Sequence, residues 1–140
     1  MKIKRRSVPI LLIAVIIVLL IFWLLPHTAF WNTVSARLYF QRSRETIEET
    51  LEQTPITEGS VQEVLSLMQG IPHGKAFRVR TEENESPVCL LRTADYGDFY
   101  QYFYWFGLLR TEKPESFPSD ILTLTPLNDS WYVYMLKLPQ

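Results

Sequence analysis

The stretch from Val8 to Leu25, VPILLIAVIIVLLIFWLL, runs for eighteen residues without a charge. At a rise of ~1.5 Å per residue a helix of that length spans about 27 Å, close to the thickness of a bilayer's hydrocarbon core. It therefore predicts an N-terminal transmembrane helix. Pro9 falls in its first turn, where the missing N–H costs nothing, and Pro26 stands just past its end. A cleaved signal peptide is the competing reading, since Lys2, Lys4, Arg5 and Arg6 form a positive head. The apolar run is too long for that, and His27-Thr28-Ala29 is a poor cleavage site.

Orientation follows from the flanking cations. The basic head outweighs Arg37, Arg42 and Arg44, which places the N-terminus in the cytoplasm and the C-terminal body on the outer side, periplasmic or extracellular. Trp23 and Trp31 bracket the outer end of the span and suit the aromatic belt of the membrane interface, with Arg37 beside the headgroups.

All fifteen acidic residues follow Pro26, as do ten of the fourteen basic ones, so the body carries a net charge of −5. Nothing in that balance draws it to nucleic acid. The single cysteine, Cys89, has no partner for an internal disulfide, and its setting in VCLLRT is that of a small buried hydrophobe.

The chain divides into a basic head (1–7), the span (8–25), a helical juxtamembrane stalk (26–55) and a small α+β domain (56–140). After Pro26 the stalk has no Gly or Pro until Pro55. Phe30, Val34, Leu38, Ile47 and Leu51 recur at roughly helical spacing along it, and Arg44 with Glu48 makes an i,i+4 pair. Pro55 ends the helix. A second helix begins at Ser60, where Ser60-x-x-Glu63 is a capping box. It buries Val61, Val64, Leu65 and Met68, and stops at Gly70. Ile71-Pro72-His73-Gly74 suits a type I turn.

AFRVRTE and VCLLRTA then predict two strands joined through ENESP, and ILTLTPL and WYVYMLKL predict a closing hairpin over Asn128-Asp129-Ser130. In the last strand Tyr132, Tyr134, Leu136 and Leu138 share one face, and Trp131, Val133, Met135 and Lys137 the other.

The stretch DFYQYFYWFGLL, residues 98 to 109, has seven aromatic side chains in twelve. That run exceeds a typical strand and has apparent helix ends, with Asp95 and Asp98 to cap and Gly107 to stop. The expectation is a helix, hence two αββ units (60–93 and 98–138) and a two-layer αββαββ-like domain, both helices on one face of an antiparallel sheet. Phe99, Tyr102, Phe103 and Phe106 would form the core stripe. Tyr100, Tyr104 and Trp105, with Tyr132 and Tyr134, exceed what one small core can hide. They form the candidate interaction surface.

No metal-ligand spacing, nucleophile elbow, phosphate loop or dinucleotide fingerprint is present. The sequence thus predicts no catalytic residue, no metal site and no cofactor. Asp95 with Asp98 as paired carboxylates, or His73 with a serine, are the residual acid/base candidates. The functional expectation is a single-pass anchored domain that contacts other membrane-associated proteins, with homo-oligomerisation open. A tethered sensor that binds a ligand or lipid in a pocket between helix and sheet is the alternative, and a small enzyme the third.

Overall fold

The computed structural model describes residues 7–97 and 102–139. Tyr100, Asp98 and Phe99, as well as the basic head through Arg6, lie outside the described residues.

An apolar helix, α1 (Ser7–Leu24), is followed by a 3-10 turn (Leu25–His27) and a long helix, α2 (Ala29–Gln53). From Pro9 to His27 the chain is long and apolar enough to cross a membrane by length and composition, and none of this stretch is buried within the molecule. The joint is stitched rather than loose. Thr28 caps α2 by accepting from the Trp31 N–H, and the buried Asn32 amide donates to the carbonyls of Pro26 and Thr28, each at 2.9 Å. An interrupted ladder at this joint therefore keeps its carbonyl partners.

The rest is an α+β domain with one mixed sheet. Its strands are β1 (Ile56–Glu58), β2 (Ala76–Arg80), β3 (Val88–Gly97), β4 (Tyr102–Arg110), β5 (Leu122–Pro126) and β6 (Trp131–Pro139), and helix α3 (Val61–Gly70) lies between β1 and β2. The spatial order is β1-β2-β3-β4-β6-β5, parallel only between β1 and β2. A parallel pair needs a crossover, and α3 supplies it. Its capping box is as read from Ser60 and Glu63, with both reciprocal hydrogen bonds present. The two hairpin pairs β2–β3 and β5–β6 also stand where the sequence places them.

Residues 102–110 are a strand, not the expected helix, and with the helix goes the αββ duplication. The physical reason is burial on both sides of the sheet. Tyr104, Phe106 and Leu108 point into one core while Trp105 and Leu109 point into the other. A strand covered twice reads as an unbroken apolar run and loses its period-2 signature. Gly107 is no helix stop. It sits opposite Tyr134 in the β4–β6 ladder, and a Cβ there would lie 2.1 Å from the Leu91 carbonyl oxygen and 2.5 Å from Tyr134 Cε1. The glycine lets the Tyr134 ring cross the strand flush against its backbone.

Nor do both helices share a face. On one face α3 packs Val64, Leu65 and Met68 against Val79, Val88, Leu90, Leu109, Tyr134 and Leu136. On the other, α2 buries Ala36, Phe40, Ile47 and Leu51 against Cys89, Leu91, Phe106, Leu108, Trp131 and Val133. Residues 29–53 do not stand clear as a stalk; they are the third layer of the fold. The buried stripe is rotated from the expected one. Phe30 and Leu38 lie on the outer side, and the inner side is Asn32, Ala36 and Phe40, continued past a bend at Ser43 (φ −121°, ψ 15°) by Ile47 and Leu51. Phe40 meets Trp131 with ring centroids 5.2 Å apart. The far end of α2 is held by Arg78, whose guanidinium donates to the carbonyls of Glu52 and Thr54.

Candidate functional site

β3 outruns β2. The last rung between them pairs Ala76 with Leu91, so from Arg92 onward β3 has an open edge on that side. The turn after α3 partly closes it, with the Gly74 N–H donating to the Arg92 carbonyl at 3.0 Å. That turn is closed by Lys75 N–H to the Pro72 carbonyl at 3.2 Å, with Gly74 in the left-handed region at φ +72°. Gly74 thus occupies the third position of a turn starting at Pro72, one residue on from the expected register.

At the same place the β3–β4 ladder slips between Arg92 and Ala94, leaving Thr93 as an extra residue. Such bulges re-aim side chains and recur beside binding sites. Between this bulge, the Pro72–Lys75 turn and the first turns of α2 lies a crevice of about 310 Å³, bounded by Asn32, Ser35, Ala36, Tyr39, His73 and Thr93. The buried Thr93 hydroxyl has no hydrogen-bond partner among the described residues.

A charged ladder runs along the crevice rim. His73 Nε2 lies 3.1 Å from Asp95 Oδ1, and the other Asp95 oxygen accepts from Arg92 Nη2. Arg92 also donates through Nη1 to the Ile71 carbonyl at 2.8 Å and stacks its guanidinium over Trp105 at 4.4 Å. Planar stacking with forked donation explains why arginine stands here, since lysine could supply neither. Asp95 therefore caps no helix; it ties the turn to the bulge. His73 is bonded to this carboxylate rather than to a serine. Among the described residues no three His, Cys, Asp or Glu side chains converge.

The candidate interaction residues do not form one surface. Tyr104 is half-buried on the α2 side, whereas Trp105 and Tyr132 are half-buried on the α3 side. Tyr134 is fully buried, so it belongs to the core and presents nothing to a partner. Burial pushes its phenol well above the ordinary tyrosine range, with the Arg92 charge only partly offsetting this, and its hydroxyl has no hydrogen-bond partner among the described residues. Cys89 is likewise buried, and burial raises its thiol pKa despite the nearby Arg110 and Arg78 charges. That is the electrostatics of a packing residue, not of a nucleophile.

Comparison with family models, with curated proteins and with solved structures gave no match. The site must be read from its own geometry.

Among the described residues, the exposed large apolar side chains outside α1 are on α2 and β4, with Ile56 on β1. Phe30 is 73% exposed, Leu38 46% and Phe103 46%, with Trp31 and Tyr39 also in solvent. Phe30, Val34 and Leu38 lie on the side of α2 turned from the sheet, and the same side becomes polar at Gln41 and Glu45. The spacing of Phe30, Val34 and Leu38 was visible in the sequence, but which of the two apolar stripes of α2 would be buried was not. Trp23 sits in α1 with its ring 6.2 Å from that of His27, and Arg37 borders an open groove with Phe40 and Leu127.

Proposed function

We propose that α1 is a single-pass membrane anchor and that the α+β domain works by binding other membrane-associated proteins on the outer side of that membrane. The observation that carries this reading is the apolar outer side of α2, Phe30, Val34 and Leu38, which continues the apolar surface of α1 directly into the folded domain. Exposed apolar side chains gathered on one helix face suit a partner helix, with Phe30 and Leu38 as its anchors. Hydrogen bonds from Asn32 to the Pro26 and Thr28 carbonyls join this face to the turn that follows α1. Partners in the same membrane then meet it at high effective concentration, which allows weak contacts to suffice.

A photo-crosslinking residue at Leu38, followed by mass spectrometry of native membranes, tests this. A discrete adduct that is lost on Val34→Asp, and absent when the probe is at Glu45, supports it. Equal labelling from Leu38 and Glu45 sinks it.

A tethered ligand-binding module is the second reading, favoured by the crevice at the Thr93 bulge. It requires that Thr93→Val and His73→Ala abolish ligand binding while crosslinking from Leu38 is unchanged.

A further inference from the structure

Resting on the reading of α1 as a membrane span, we propose that the end of the sheet at the Gly97–Phe103 rung is seated in the lipid headgroup layer. Phe103, Phe30 and Trp31 are its lipid contacts. The domain then has two attachments to the bilayer, and its orientation is fixed.

Three contacts put this end of the sheet at the exit of α1. β3 touches the 3-10 turn Leu25–His27. Ala29, Ala94 and Tyr104 pack on the same cluster. Asn32 and Ser35 face Thr93 across the crevice. Phe103, paired with Gly97 and Leu138, is one rung beyond Tyr104 in the direction of that exit, and its side chain is exposed. Exposed Phe103, Phe30 and Trp31 are residue types of an interfacial belt, the first on the sheet and the other two on the helix that leaves the apolar segment.

Charge is distributed to the same effect. Near this end Lys137 Nζ lies 3.9 Å from the centre of the Tyr102 ring and Lys75 lies 5.1 Å from that of Phe77. Lysines on aromatic platforms can extend to lipid phosphates while their stems stay on apolar surface. Of the carboxylates here among the described residues, Asp95 is ion-paired and Asp120 is on the loop into β5. At the opposite end the turns carry Glu82, Glu83, Glu85, Glu112, Glu115 and Asp129. An anionic membrane surface repels that acidic end and accepts the aromatic one.

The test uses the full chain reconstituted in vesicles of phosphatidylcholine and phosphatidylglycerol. Nitroxide labels are placed singly through Phe103→Cys and Asp129→Cys, and relaxation by oxygen is compared with relaxation by a water-soluble nickel chelate. Cys89 is buried, and unsubstituted protein reports any label it takes. The ratio of oxygen to nickel accessibility is expected to be several-fold higher at position 103 than at 129. Leu138→Cys, at the β6 partner of Phe103, gives the same reading should Phe103→Cys fail to fold. Equal nickel accessibility at 103 and 129, in protein that resists carbonate extraction, overturns the seating while sparing the anchor. Extraction by carbonate overturns both.

Discussion

The two faces of the sheet are covered by different means. The α3 face is closed by a helix from within the domain, joined by short connections to β1 and β2 and started by a capping box. The α2 face is closed by the helix that leads directly from the apolar segment, and its core partners, Cys89 to Leu108 and Trp131, are distant in sequence. One face is thus covered by a helix set between two of the sheet's own strands, and the other by a helix that precedes the whole sheet. That difference ties the apolar segment to the domain, because the Asn32 amide that bonds the Pro26 and Thr28 carbonyls stands on the same helix as Phe40 of the core.

If both faces are true cores, truncation should cost similar amounts on each. Phe40→Ala on α2 is expected to destabilise by about 3–5 kcal/mol and Met68→Ala on α3 by about 2–5 kcal/mol, read by denaturant unfolding. A free stalk would leave Phe40→Ala near neutral, which would break the comparison. Gly107→Ala tests the strand between the two faces. Its methyl meets the Leu91 carbonyl and the Tyr134 ring, and overpacking of this kind costs about 1–3 kcal/mol. A helix stop at Gly107 would instead lose only about 1 kcal/mol, from alanine in a left-handed backbone, with no core disturbed.

Ser60→Ala removes the cap of α3 alone. A loss of about 1 kcal/mol is expected, with hydrogen exchange quickened in α3 and not in α2. The smallest effect is at Tyr134. Its buried hydroxyl has no partner among the described residues, so Tyr134→Phe should hold or raise the melting temperature at neutral pH. The pH dependence has a definite sign. The phenol is raised above its ordinary 10.0 in the folded state, so its contribution is complete below pH 10.0 and declines as pH rises beyond it. Tyr134→Phe should flatten that alkaline decline.

Much of the α3 face was legible because its signals are local. Ser60 and Glu63 announce a helix start by their spacing, and Asn128-Asp129-Ser130 announces the turn that pairs β5 with β6. β4 was not legible, because burial on both sides erases alternation and its aromatics fit either periodicity. β1 has only three residues, too few to alternate. On α2, Phe30-Val34-Leu38 and Ala36-Phe40 are both apolar at helical spacing, and only the long-range partners Leu91 and Trp131 decide between them. The crevice was hidden for a related reason. Asp95 and His73 were each singled out, but the bulge at Thr93 that brings them together is a register slip between strands, which no single strand's sequence records.

The dependence of the domain on α2 is tested most directly by comparing the unfolding of two fragments, residues 28–140 and residues 55–140. The first is expected to unfold in one cooperative transition, while the second, with Cys89, Leu91, Phe106 and Trp131 stripped of their cover, shows none. A cooperative transition of equal midpoint in the shorter fragment would mean that α2 merely leans on a domain complete without it.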